Sequence, residues 1–171
     1  MSRKYVLSLL GLFLCVSLNA QIQRKFLGFT LGSSTKSAVI NGLKAKGFKP
    51  VTDDNETYSV RYIKFAGHTW PYAAFTFYKG ILHTVNFSDS DGLTPRQTID
   101  VIWETLDTNL SEKYGKYYDS EFSSSVKKEF ADGRTRIVFN YDFFQGSKIM
   151  SLMYYDINIR AKMSDDSADE L

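Results

Sequence analysis

The chain predicts an α+β protein made of two successive helix–three-strand units, with antiparallel sheet packed against helices. Three observations carry this. Apolar residues recur at helical spacing in two stretches, near 35–46 and 94–115. The runs that follow each of them alternate at the period of strands. Glycine-containing turns at 78–80 and 132–133 fold neighbouring strands back on each other. Helices set apart from runs of strands imply antiparallel sheet with the helices on one face. The sequence leaves open whether the two halves, about 25–90 and 91–160, share one sheet or form two.

In order, Gln21 to Gly32 reads as a short extended segment anchored by Phe26, Phe29 and Leu31. Gly32-Ser33-Ser34 opens a helix from about Thr35 to Lys46, with Val39 and Leu43 on its buried face and Gly47 as a left-handed stop. Gly42 in its interior costs about 1 kcal/mol against alanine. Thr57 to Phe65 alternates through Tyr58, Val60 and Tyr62, then slips phase to Ile63 and Phe65, which predicts a bulge near Tyr62. Tyr72–Phe77 and Ile81–Phe87 form a hairpin. A three-residue loop, 78–80, would pair Phe77 with Ile81 and Phe75 with His83, collecting the apolar residues on one face.

The second unit starts with Thr94 as cap, Pro95 at the first helical position and Gln97 completing a capping box. Ile99, Ile102, Trp103, Leu106 and Leu110 make one apolar stripe, and Gly115 ends it. Val126, Lys128 and Phe130 lead to a two-residue Asp132-Gly133 turn, which would set Glu129 opposite Arg136. A last strand spans about Ile149 to Ile159.

The two ends carry address rather than fold. Arg3 and Lys4, the apolar run Val6–Leu18 and the small-residue junction Ala20-Gln21 have the layout of a secretory signal peptide over 1–20. The folded domain is then 21–163, and the acidic, polar residues 164–171 are expected to be a disordered tail. Removing twenty residues from 171 leaves 151, the size of one ordinary domain or two very small ones, with no transmembrane segment. The leader holds two of the 21 basic residues and none of the 19 acidic ones, so the mature chain has no net charge. That removes the electrostatic case for nucleic acid. Cys15, the one cysteine, also leaves with the leader. A lipid anchor at Cys15 is the alternative fate, but Leu14 stands where a small residue is required. Export thus places the protein in the periplasm or outside the cell.

Several short segments carry a resemblance: Lys25-Phe26-Leu27-Gly28-Phe29, Leu31-Gly32, Leu43-Lys44-Ala45-Lys46-Gly47-Phe48 and Glu112-Lys113-Tyr114-Gly115. Together with the Ala20-Gln21 junction, they resemble a pattern in uncharacterised exported α+β proteins of Bacteroides-type bacteria. In element order alone, the chain is also similar to the helix-plus-three-strand folds of the outer-membrane assembly factor BamE and of the β-lactamase inhibitor proteins. The first resemblance implies compartment and fold. The second implies binding to another protein.

Catalytic chemistry is thinly represented. A mature chain without cysteine has no thiol nucleophile and no cysteine-based metal site. His68 falls in a turn before a strand. His83 falls on an apolar face, where a buried neutral imidazole is expected. No His-x-x-x-His pair, Gly-x-Ser-x-Gly elbow or phosphate-binding glycine loop occurs. Asp89-Ser90-Asp91-Gly92 would place Phe87 at the first position of a calcium loop, where aspartate is needed. No catalytic residue, metal ligand or cofactor is therefore nominated. Aromatics remain. Trp70 and Tyr72 are predicted off the core face, and Tyr117, Tyr118, Phe143 and Phe144 in loops. Trp70, Tyr72, Tyr117 and Tyr118 are the candidate binding residues, unless they simply cover the second face of the sheet. The expectation is a non-catalytic binding module for an envelope or extracellular protein, or for a glycan. The alternative is an uncatalogued hydrolase or glycan-handling protein, which would need His68 or His83 in a concave pocket within about 3 Å of a carboxylate.

Overall fold

In a computed structural model, the structure describes residues 21–89, 94–144 and 147–169. The predicted leader, with Cys15 and Ala20, lies outside the described residues. The α+β architecture is as predicted, and both halves contribute to one sheet. Strands β3 (Pro50–Asp53), β4 (Thr57–Phe65), β5 (His68–Tyr78), β6 (Ile81–Asp89), β7 (Lys127–Ala131), β8 (Thr135–Phe144) and β9 (Ser147–Asp156) lie in the order β3-β4-β5-β6-β9-β8-β7. Each half is a meander, and the last strands of the two meanders pair antiparallel, with Thr84 opposite Tyr155 and Phe87 opposite Leu152. Phe143 and Phe144 are the end of β8 rather than loop residues.

One face of this sheet carries the core. Phe75, Leu82, Val85, Phe87, Ile137, Phe139, Leu152 and Tyr154 point into it. Helix α1 (Lys36–Ala45) covers it with Val39 and Leu43, and α2 (Arg96–Tyr114) with Ile99, Leu106, Leu110 and Tyr114. Between them sits a small hairpin, β1 (Lys25–Phe26) and β2 (Phe29–Thr30), inside the segment predicted as merely extended. Its Phe26 ring meets Tyr154 at 4.8 Å and Phe29 meets Phe75 edge-on at 6.4 Å. Trp103 of α2 stacks on Phe139 at 4.1 Å.

Thr35 caps α1 by accepting the Ala38 N–H at 3.3 Å, and Gly47 stops it at φ +85°. Gly42 is explained by packing. A Cβ there would stand 2.6 Å from Phe29 Cζ and 2.7 Å from Cε1, and that ring is held against Phe75. Gly42→Ala should therefore lower stability by about 1–3 kcal/mol instead of raising it by the ~1 kcal/mol that helix propensity offers, as read by urea unfolding.

Both hairpins differ in register from the expectation. The first turns tightly on Lys79 (φ +47°) and Gly80 (φ +77°), with Tyr78 opposite Ile81 and Phe77 opposite Leu82. A register shift then follows, after which Thr76 faces Thr84 and Phe75 faces Val85. His83 is the extra residue. The bulge, rather than a longer loop, returns Val85 and Phe87 to the core face. In the second hairpin Asp132 accepts from the N–H groups of Arg134 at 3.1 Å and Thr135 at 2.8 Å, so the turn moves to Gly133-Arg134. Arg136 now faces Ala131 and Glu129 faces Val138. The shift is by two residues, so no side chain changes face. Glu129 and Arg136 still meet diagonally at 2.6 Å. The phase slip in β4 is real, but the pairing with β5 stays one-to-one. Tyr62 absorbs it with φ +58°, across from Pro71, which has no N–H for the ladder.

Two helix termini also differ. Pro95 is the N-cap residue of α2 without a side-chain cap, and Thr94 donates instead to Asp89 Oδ2 at 2.7 Å. The last strand stops at Asp156, whose Oδ1 accepts the Ile159 N–H at 3.0 Å and so caps helix α3 (Ile157–Asp169). Ile157 and Ile159 are helical. Residues 164–169, expected to be disordered, belong to α3. Its half-buried stripe of Ile159, Met163 and Asp166 and its ion pair from Asp166 to Lys79 at 2.5 Å hold it down.

The N-terminal segment is tied to this end of the molecule. Arg24 donates to Asp156 Oδ2 at 2.5 Å, Leu31 O at 2.8 Å and Thr135 Oγ1 at 2.7 Å. Ile22 is buried, and its N–H reaches Asp132 Oδ2 at 2.8 Å.

Candidate binding surface

With α1, α2 and the small hairpin all on one face, α3 is the one helix among the described residues that lies on the opposite face of the sheet. The anchors of α3 on that face are Tyr155, whose ring lies under Arg160 at 5.3 Å, and Tyr78, which donates to Asp166. Thr84, between them, is 5% exposed. Beyond α3, no other helix of the described residues lies on this face, and Ser88 and Val138 are buried among their neighbours there. Tyr72 and Ala74 of β5, Asn86 of β6, Ser151 and Met153 of β9 and Asn140 of β8 lie on it, all half-buried. These side chains are small, polar, or of the tyrosine and methionine kind enriched at interfaces. The faces follow from the period-two alternation. The sequence reading missed the surface because it is assembled across the join between halves, β6 to β9.

The four nominated aromatics do not make one patch. Trp70 is fully buried on the core face, where its indole N–H donates to Phe65 O at 3.1 Å. The slip at Tyr62 and Pro71 turns it inward, paired with Ile63. Trp70 is therefore withdrawn as a surface anchor. Tyr72 lies on the open face. Tyr117 packs partly buried against the core. Tyr118, 44% exposed, sits edge-on to Phe130 at the β7 end of the sheet. Strands β6, β9 and β8 separate Tyr118 from Tyr72. Gln21 is exposed at the start of the described chain.

The β7 edge is closed by its own loop. Glu129 N–H donates to Ser123 Oγ at 2.9 Å, while Asp119 N–H donates to Glu129 O at 2.9 Å and Ser124 N–H to Lys127 O at 2.7 Å. Strand addition is blocked at this edge. Lys127, Glu129, Arg136 and Asp119 form an ion-pair network beside it, with Lys127 to Glu129 at 2.5 Å and Arg136 to Asp119 at 3.3 Å.

The histidines lie elsewhere. His83 is 1% exposed in the β6 bulge, with Nδ1 2.8 Å from Thr84 Oγ1. Burial pushes its pKa down to about 4, helped by the charge of Arg160 and opposed by Asp156. Because the folded value lies below the unfolded one, stability should be full above about pH 6.5 and fall by up to about 3 kcal/mol as pH drops towards 4. Urea unfolding at pH 7 and 4.5 checks this, and His83→Gln should flatten the difference. His68 Nε2 is 3.6 Å from Asp89 Oδ2, too far for a hydrogen bond. Asp89 is fully buried and already takes the Thr94 hydroxyl. Among the described residues no three histidine, cysteine or carboxylate side chains cluster as metal ligands. No helix among them is long and apolar enough to cross a membrane.

Comparison with protein-family models, with curated proteins and with solved structures finds no match to this chain.

Proposed function

We propose that this protein is an exported, non-catalytic binding module of the cell envelope or periplasm, and that its partner is another protein held on the open part of the sheet face. The observation that carries this reading is the one-sided packing. A seven-stranded sheet buries one face under two helices and presents the other, beyond α3, as a broad surface with half-buried tyrosine, methionine and asparagine side chains. Export is supported by the leader pattern of residues 1–20 and by the resemblance to exported proteins of Bacteroides-type bacteria. N-terminal sequencing of the secreted protein should begin at Gln21, whereas a lipid on Cys15 would replace a free module by an anchored one.

Affinity capture from an envelope fraction tests the binding reading. The double variant Tyr72→Ala, Met153→Ala should lose at least about tenfold of the captured partner, the effect of removing one or two interface anchors. Tyr118→Ala should retain it. Equal capture by all three proteins would count against the open face. A hydrolase or glycan-handling role rests on His68 beside Asp89. There His68 Nε2 stands 3.6 Å from Asp89 Oδ2, beyond hydrogen-bond reach, and that oxygen accepts the Thr94 hydroxyl instead.

A further inference from the structure

A cleft of about 260 Å³ opens on the core side of the sheet, between the C-terminal half of α2, the β4–β5 turn and the N-terminal segment. Phe65, Leu106 and Leu110 form its apolar walls. Tyr114 and Tyr154 line it as well, each nearly buried, so both phenols are held by the core. Burial pushes the Tyr154 phenol well above its ordinary range, and the neighbouring Tyr114 adds to this, so Tyr154 keeps its proton. The Tyr114 oxygen accepts the Gln23 N–H at 3.4 Å, and a phenol that accepts one bond can still donate its own hydrogen. Lys113 is the one charged residue among the described residues lining the cleft, and its Nζ lies 5.0 Å above the Tyr114 ring.

The charged and phenolic groups here are thus hydrogen-bond donors around an apolar slot, with a single positive charge at the rim. We propose that this cleft binds a small carboxylate with an apolar body, an aromatic ring on a short chain, its ring between Phe65, Leu106 and Leu110 and its carboxylate towards Lys113 and the tyrosine hydroxyls. A cavity of ~150 Å³ suffices for benzene, so 260 Å³ leaves room for the chain and the acid. The site is separate from the open sheet face and stands or falls independently of it.

Titration of the purified ¹⁵N-labelled protein with 3-phenylpropionate tests the assignment. The amide signals of Ala66, Asn109 and Lys113 should shift and saturate with a Kd on the order of 1 mM. Lys113→Met should weaken binding about tenfold, consistent with loss of a charge-assisted contact. Asn109→Trp, which fills the mouth, should abolish the shifts. The neutral amide 3-phenylpropionamide should bind at least about fivefold more weakly than the acid. Absence of saturation, equal binding of acid and amide, or unchanged binding by Lys113→Met would each overturn the proposal.

Discussion

Asp156→Ala should cost about 3–5 kcal/mol, the loss expected when one partner of a buried ion pair is removed and the other is left uncompensated. Asp156 is 4% exposed and holds three parts of the fold together. Its Oδ2 takes Arg24, which fastens the N-terminal segment to Leu31 and Thr135, and its Oδ1 caps α3 through Ile159. Burial pushes the carboxyl up, but the Arg24 hydrogen bond, the Ile159 and Asn158 N–H groups and the Arg24 charge outweigh it, and the group is held below the usual carboxylate range. A depressed folded pKa means that this stabilisation is complete above the ordinary aspartate value and is lost as pH falls through the lowered one. That window lies below the one set by His83, so the two titrations separate. Gly32 belongs to the same cluster. A Cβ there would stand 2.6 Å from Asp156 Oδ2 and 2.9 Å from Arg24 Nη2, at φ +78°, so Gly32→Ala should be nearly as damaging. An apolar pair at both positions, Arg24→Met with Asp156→Leu, should recover part of the loss. Urea unfolding of the four proteins at pH 7 checks the series.

Trp70→Ala should be the second large loss, about 3–5 kcal/mol, the range for deleting a buried aromatic side chain. Trp70 is fully buried, 5.8 Å from Phe87 and 5.0 Å from His68 between ring centroids, and its truncation also removes the indole N–H that bonds Phe65 O. Tyr118→Ala, at an exposed edge, should cost less than about 1 kcal/mol. If the two variants unfolded at the same urea concentration, Trp70 would have to be a surface residue and the inward turn at Tyr62 and Pro71 would be wrong.

The contrast between those two residues shows what sequence periodicity can carry. Elements and their faces were legible: the stripe from Ile99 to Leu110, the stop at Gly47, the alternation of Phe75 and Phe77 and of Ile137 and Phe139 all reappear as predicted. Registers were not. A bulge at His83 and an Asp132 side chain that closes its own turn each shift a hairpin, and neither has a periodic signature. The phase of Trp70 depends on one left-handed residue, Tyr62, opposite a proline. At Asp156 a strand and a helix compete for the same isoleucines, and the side-chain cap decides in favour of the helix. The candidate surface was the least legible part. It lies across β5, β6, β9 and β8, and the β6–β9 step that brings its two halves together comes from the antiparallel join of the two meanders and from no local motif. The Arg24–Asp156 pair, 132 residues apart, was equally invisible.

Site-specific photo-crosslinking in envelope preparations tests the central claim most directly. A benzophenone side chain placed at Tyr72 or Met153 on the open face should yield a discrete protein adduct. The same probe at Val101, 63% exposed on the solvent side of α2, should yield none. An adduct from Val101 alone, or equal adducts from all three positions, would contradict binding through the open face of the sheet.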